Sequence, residues 1–404
     1  MSQLRLREWA PAPALALPAP VIRLLRHTFR ARVEPSTTVP GTFDVLPGSR
    51  VGVAAAAEWQ VSIEPKLPVP RVLFLAAYAS APPGWQQDTG LEHEEDLLEG
   101  AAALFAGRAH HAVNAGLLHG YHTVDDDLTT IRGRVNLAGQ LRRRPGIDLP
   151  IAVRYQGFDE NVLENQLLLA ATHLLGKLPI RSAGTRRSLY RLLGAFELTS
   201  HSWFPPNAVP HVTWTRLNAH YRPAVELARM LLGAAAPELR GGDGAGAALV
   251  LDMNRVFESF VRAALRDALG LTEQQFPAPG RATPLWLDRA RQVPLNPDLS
   301  WWEGARCRWV GDVKYKQDTG AGASSDLYQL LAYITAAGLR SGWLIYADGA
   351  PRQVHELPGA QASLTVDRLD TALPPAELLA QIAALASRIK ASTSTTAELR
   401  PAAR

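Results

Sequence analysis

Along this chain, apolar residues recur at two periods. Val51-Gly-Val53 and Trp59-Gln-Val61-Ser-Ile63 alternate like half-buried strands, so the stretch Thr42–Ile63 is expected to form short strands and turns. Leu97–Leu118 is rich in Ala and Leu and reads as a helix. Val162–Leu175 and Ser188–Leu198 carry apolar residues at helical spacing. His211–Leu232 predicts another helix, kinked or interrupted at Pro223. Asp252–Leu269 is amphipathic, with Val256, Phe257, Phe260, Ala264 and Leu265 facing one way. Three strand candidates follow: Pro284–Val293, Leu295–Trp302 and Arg306–Tyr315. A helix is expected over Ser324–Ala337, capped by Ser325 or Asp326, and Gly342–Tyr346 reads as a buried strand. The order of this last region is α-β-β-β-α-β, and its final strand–helix–strand piece is a crossover unit of a mixed sheet.

These patterns give an α/β protein in successive regions. Residues 1–150 form an N-terminal region of mixed strands and helix, and 151–245 a helical connecting region. The latter ends in the Gly-rich linker Gly241-Gly-Asp-Gly-Ala-Gly246. Residues 246–390 form the α/β region described above, and 391–404 a loose polar tail. The 404 residues are 47% apolar and 20% charged, as in ordinary globular proteins. The one cysteine, Cys307, excludes an internal disulfide and a multi-cysteine zinc site, and fits a reducing, cytoplasmic setting. Lys plus Arg is 42 against 38 for Asp plus Glu, a balance that permits a polyanionic partner without demanding one. Ala10–Pro20 mimics a signal peptide, but Glu8 and the prolines break the pattern. No run approaches the ~18 apolar residues of a membrane span.

Candidate chemistry sits in the last third. Asn296-Pro-Asp298 and Gly311-Asp-Val-Lys-Tyr-Lys316 flank Trp302-Glu-Gly-Ala-Arg306, a sequence suited to a turn. If that turn closes a hairpin, facing residues have numbers summing to about 610. Asp298 then lies across from Asp312, and alternation puts Lys314 on the same face. Facing carboxylates destabilise a sheet. A divalent cation between them reverses that cost, and hard oxygen ligands suit Mg2+, with Mn2+ expected to substitute. Such an ion polarises a phosphodiester and lowers the pKa of a bound water. Lys314 can position that water or stabilise developing charge. Phosphodiester hydrolysis therefore fits these residues, although an isolated D-x-K is more often a pair of solvated salt bridges.

Other residues join this group. Glu258 is polar amid Phe257, Phe260 and Val261. Gln329 and Tyr333 are four apart and share a helix face, from which Gln329 would reach a metal-bound water or a phosphate. Lys316 and Tyr333 are candidate contacts for DNA or a partner. Arg132, Arg134, Arg142, Arg143 and Arg144 make a basic patch suited to phosphates or a partner's pore, or simply a solvated loop. Arg181, Arg186, Arg187 and Arg191 form a second cluster open to the same readings. His93-Glu-Glu-Asp96 and His110-His111 lack the H-E-x-x-H spacing and read as surface. No G-x-x-x-x-G-K-[ST] is present, so the chain is not itself a nucleotide-driven motor.

Pro297-Asp298, Asp312-Val-Lys314 and the α-β-β-β-α-β order resemble the PD-(D/E)xK nuclease superfamily. Met253-Asn-Arg-Val-Phe-Glu258, Asp312-Val-Lys-Tyr-Lys316 and Asp326-Leu-Tyr-Gln329 with Tyr333 resemble, more closely, the McrC family of nuclease subunits in McrBC modification-dependent restriction systems. Upstream, Ile63-Glu-Pro-Lys66, Ile131-Arg-Gly-Arg134, Phe158-Asp-Glu-Asn161 through Gln166, and Arg216-Leu-Asn-Ala-His-Tyr221 are similar to further elements of that family. The resemblance spans about residues 40 to 350. It implies a metal-dependent DNA endonuclease in which Asp298 and Asp312 bind Mg2+, Glu258 assists, and Lys314 and Gln329 serve the reaction. It further implies an N-terminal region that docks on a McrB-like AAA+ GTPase hexamer, and double-stranded, modified DNA as substrate. The alternatives are a non-catalytic activator of such a ring and a stand-alone nuclease of the superfamily.

Overall fold

A computed structural model describes residues 2–56, 58–79, 96–143, 149–235, 248–280, 285–318 and 324–398. The chain opens with β1 (Ser2–Arg7), β2 (Ala12–Leu15), α1 (Ala19–Arg23), β3 (Arg32–Pro35), β4 (Phe43–Leu46), β5 (Arg50–Ala56), β6 (Trp59–Glu64) and α2 (Val69–Tyr78). Then come α3 (Leu97–Asn114), β7 (Gly120–Leu128), β8 (Arg134–Val135), α4 (Leu137–Arg143), β9 (Ile151–Asp159), α5 (Leu163–Gly176), α6 (Ala183–Ala195) and α7 (Arg222–Gly233). The last part holds β10 (Ala248–Asp252), α8 (Met253–Leu269), β11 (Leu285–Trp286), β12 (Pro294–Leu295), β13 (Leu299–Glu303) and β14 (Arg306–Asp318). It closes with α9 (Ser324–Ala337), β15 (Ser341–Gly349), β16 (Gln353–Leu357), β17 (Ala362–Arg368) and α10 (Pro375–Glu398).

The elements gather into two compact units. The first comprises residues 1–54, 58–97 and 250–404; the second comprises 55–57 and 98–249. This partition differs from the sequential boundaries at 150 and 245, because the two ends of the chain build one unit. In it, β1 pairs in parallel with β6 from Ser2↔Trp59 to Arg7↔Glu64. A five-stranded mixed sheet runs in the order β13-β14-β15-β17-β16. Its central pairs, β14–β15 and β15–β17, are parallel, and its outer pairs are antiparallel. The buried side chains Trp302, Val310, Leu330, Ile334, Leu344 and Tyr346 pack together between α9 and the sheet. Burying each such side chain is worth about 1.5–3 kcal/mol. The approach is close enough to need glycine: a Cβ on Gly342 would stand 2.6 Å from Ile334 Cγ2 and 2.8 Å from Leu330 Cδ1.

The amphipathic stripe yields α8 as expected. The Asp252 side chain accepts from Asn254 N at its start, and Gly270 ends it in the left-handed region. Phe260 packs against Phe74 and Tyr78 of α2. Helix α9 spans Ser324–Ala337, with Ser325 and Asp326 inside its first turn. Pro284–Val293 is not one strand: only Leu285–Trp286 pairs, with Pro294–Leu295. Asp288 Oδ1 accepts from Gln292 N and Val293 N, a turn that breaks the run. His211–Leu232 is helical only from the 3-10 turn Ala219–Tyr221 onward, and Pro223 sits in the first turn of α7 rather than kinking it. Residues 391–398, expected as part of a loose tail, continue α10 to Glu398, with Thr393 buried. The Gly241–Gly246 linker and His93–Glu95 lie outside the described residues.

The second unit holds the antiparallel sheet β7-β9-β8 and helices α3 to α7. Three residues of the upstream motifs tie it together. Asn165, fully buried, donates from Nδ2 to the carbonyls of Leu118 and Glu160. Asn218 Nδ2 donates to Glu164 Oε1 at 2.8 Å, and the buried Tyr221 hydroxyl accepts from Leu118 N. Gly133 has φ +74°, and a Cβ there would meet the Arg154 carbonyl at 2.4 Å. Among the described residues, no helix is long and apolar enough to cross a membrane.

Candidate active site

Strands β13 and β14 form a hairpin around Gly304-Ala305, with Gly304 at φ +59°. Leu299 faces Gly311, Ser300 faces Val310 and Trp301 faces Trp309, the register of the 610 sum; a bulge follows at Trp302. Asp298 immediately precedes β13, and its Oδ2 accepts from Val313 N at 3.0 Å. Alternation sends Val310, Asp312 and Lys314 towards α9. Tyr315 points the other way, towards Phe257 of α8 at 5.9 Å.

Asp312 is 1% exposed. Its Oδ2 lies 2.6 Å from Lys314 Nζ, a close ion pair. Burial, reinforced by the neighbouring Asp298 charge, pushes the Asp312 carboxyl up to about 7 despite that lysine. Burial works against the Lys314 ammonium, but Asp312 and Asp298 override it and hold its pKa above the ordinary value. Glu258, on α8, is likewise raised, by burial and then by Asp298, while Arg262 opposes the shift through a 3.1 Å ion pair.

Helix α9 ties the hairpin together. Lys314 Nζ donates to Gln329 Oε1 at 3.2 Å, and Gln329 Nε2 donates to the Tyr333 hydroxyl at 2.7 Å. That hydroxyl donates to the Asn296 carbonyl at 3.2 Å, two residues before Asp298. One chain of bonds thus reaches from the lysine to the backbone that carries the opposite carboxylate. Tyr333 is 4% exposed, so it braces this network from inside and offers no surface to DNA. Past Lys314 the β14–β15 register shifts. Lys316 Nζ lies 2.7 Å from Asp326 Oδ2, which also accepts from the Tyr346 hydroxyl at 2.7 Å.

Sequence reasoning did not find the partners on the opposite face. Glu8 is buried, and its Oε2 accepts from Lys66 N at 3.0 Å and from the Tyr315 hydroxyl at 3.4 Å. The Lys66 ammonium sits 4.3 Å above the Tyr315 ring, giving the Ile63-Glu-Pro-Lys66 motif a contact on the strand that carries Asp312. The available signal was Glu8 itself, a charge interrupting an apolar stretch.

Among the described residues, no three His, Cys, Asp or Glu side chains are grouped to hold a metal ion. The facing pair Asp298 and Asp312 does fit a hard divalent cation. Two carboxylates brought together beside a single ammonium leave a negative charge that such an ion neutralises. The basic patch belongs to the second unit. There Arg132 stacks on Tyr155 at 4.2 Å, Arg143 pairs with Asp127 at 3.1 Å, and Arg134 and Arg142 are exposed. Arg144 lies outside the described residues.

The family described as McrBC 5-methylcytosine restriction system component matches residues 47–347. A chain of the refined half-complex from the tetradecameric assembly of Thermococcus gammatolerans McrB AAA+ hexamers with bound McrC is similar in fold. It has 18% identity and a TM-score of 0.57 over 96% of this chain and 100% of that one. A chain of the cryo-EM structure of the Thermococcus gammatolerans McrBC complex matches at 20% identity and a TM-score of 0.43, over 66% of this chain and 88% of that one. No curated protein matches.

Proposed function

This chain belongs to the family of McrBC 5-methylcytosine restriction system components, and from that premise we propose that it is the McrC-type nuclease subunit of such a system. It hydrolyses DNA phosphodiester bonds with Mg2+, in a PD-(D/E)xK core formed by α8, β13, β14, α9 and β15. Asp298 and Asp312 hold the ion, and Glu258 assists from α8. When bound, Mg2+ supplies charge neutralisation at the phosphate and a more acidic water. Lys314 orients the attacking water and stabilises charge on the phosphate, and Gln329 keeps its ammonium aimed there. The chain works with a McrB-like AAA+ GTPase hexamer on double-stranded, modified DNA, as a defence against foreign DNA.

The observation that carries this reading is the buried Asp312 facing Asp298 with Lys314 at 2.6 Å. A structural ion pair needs one carboxylate, not two whose repulsion opposes folding. The test is cleavage of modified and unmodified plasmid with Mg2+, by the chain alone and with a McrB-like GTPase and GTP, beside Asp312→Ala. Cutting that requires the partner and disappears in the variant supports the reading; cutting retained by Asp312→Ala sinks it. The second reading is a non-catalytic activator of the ring. That reading predicts stimulated GTP turnover, equal in wild type and Asp312→Ala, with no cutting in any combination.

A further inference from the structure

In the second unit, the chain between Glu164 and Glu197 carries Lys177, Arg181, Arg186, Arg187 and Arg191 and not one Asp or Glu. Its centre is α6, whose start is capped by the Ser182 side chain accepting from Thr185 N. Leu189 and Leu192 turn inward and are buried. The opposite face exposes Arg186, Arg187 and Arg191, with Tyr190 72% exposed among them. Arg187 and Arg191 are four apart and therefore neighbours on the helix surface.

Solvated helix faces ordinarily mix signs, because like charges at this spacing repel one another. Here only Arg181 has an acidic partner, Glu99 of α3. Among the described residues, Lys177, Arg186, Arg187 and Arg191 have none. Arg186 is fixed without being neutralised: its Nη1 donates to the carbonyls of Ile180 and Arg181. The Arg191 guanidinium donates to Ser188 Oγ within the helix. A cavity of about 190 Å3 beside this face is lined by Lys177, Arg186 and Tyr190 but otherwise mostly by apolar side chains such as Leu175, Leu178 and Leu193, and Arg187 and Arg191 lie outside it. The exposed face of α6 is thus cationic and uncompensated.

We propose that the exposed face of α6, with Lys177, binds the phosphate backbone of duplex DNA. The ligand is a polyanion with repeating phosphates. Arginine forks match phosphate geometry, guanidiniums four apart on a helix lie at a spacing that adjacent phosphates can span, and an exposed tyrosine hydroxyl is a further backbone donor. The choice of DNA over an acidic protein surface rests on the reading of the chain as a DNA nuclease. The face fixes DNA without regard to sequence, and it adds to whatever the active site contributes.

The test uses the full chain in EDTA, so that binding is read without cleavage. Fluorescence anisotropy with a labelled duplex of about 30 base pairs is measured from about 50 to about 200 mM salt. Arg187→Ala/Arg191→Ala is expected to weaken binding about tenfold or more and to flatten the slope of log K against log salt by about 1.8, two phosphate contacts at about 0.9 each. Arg187→Lys/Arg191→Lys is expected to keep the slope. Both residues are exposed, and an unchanged melting temperature verifies folding. Unchanged affinity and slope in the alanine variant overturn the proposal, as does a wild-type chain that fails to bind the duplex at the lowest salt. Unchanged DNA binding with lost stimulation of the partner GTPase also overturns it, by assigning the face to a protein. A chain that binds through this face yet cuts under no condition supports the surface and removes the nuclease reading instead.

Discussion

Replacing Asp312 by Asn should make the metal-free protein more stable while abolishing cleavage. Asp312 is 1% exposed, and its carboxyl is pushed from 3.8 to about 7 by burial and by Asp298, with the Lys314 ion pair already in place. A displacement of that size disfavours the ionised form in the folded chain by roughly 4 kcal/mol. Because the folded-state value is raised, the cost is absent below pH 3.8, grows as pH rises towards about 7 and is complete above it. Asn has the shape of the protonated acid and never bears the charge. At pH 8 in EDTA, Asp312→Asn should therefore melt roughly 5–10 °C above wild type, with the gap closing as pH falls towards 4. Adding Mg2+ should raise the wild-type melting temperature and leave the variant unmoved, because an ion that binds only the folded dicarboxylate stabilises only the chain that has it. Calorimetry across this pH range, with and without Mg2+, reads all three effects. A variant that melts at or below wild type at pH 8, or that responds to Mg2+ as wild type does, would refute the claim that the two carboxylates are held together at the expense of stability.

Three further outcomes follow from the same geometry. Tyr333→Phe removes the bonds that join Gln329 to the Asn296 carbonyl, at a stability cost of about 1 kcal/mol. Its cleavage rate should fall with little change in the DNA concentration for half-maximal rate, and a rate equal to wild type would show that the brace is not needed. Gly342→Ala drives a methyl into Leu330 and Ile334 and should cost about 1–3 kcal/mol in urea denaturation; no change would mean that α9 shifts freely. Burial raises the Glu8 carboxyl, against the Lys66 and Tyr315 contacts. Glu8→Gln should therefore be at least as stable as wild type at neutral pH and should lose that advantage as pH falls through the ordinary carboxylate range. A variant less stable at neutral pH than at pH 4, each relative to wild type, would show that the charged form is the one the fold favours.

The contrast between Asp312 and Glu8 shows what a linear pattern conveys. Asp298, Asp312 and Lys314 could be brought together from sequence because a short turn fixes the register of its two strands, and register converts residue numbers into facing pairs. The same holds for α8, bounded by Asp252 and Gly270, and for α9, whose apolar period is uninterrupted. The local rule even carries past the register shift after Lys314: Lys316 stays on the same side and pairs with Asp326 of α9, the helix that Lys314 reaches through Gln329. It says nothing about Glu8, whose hydrogen-bond partners lie 58 and 307 residues away. Parallel pairing of β1 with β6 likewise leaves no local mark, since the two strands are joined by a long excursion and each alternates on its own. A charge that breaks an apolar run at the start of the chain therefore reads as surface, and becomes a buried carboxylate only because the ends of the chain fold into one unit. The face of β14 opposite Asp312 is built by the residues that sequence order separates most. The consequence is that substitutions at Glu8 or Lys66, far from Asp312 in sequence, act on the strand that carries it.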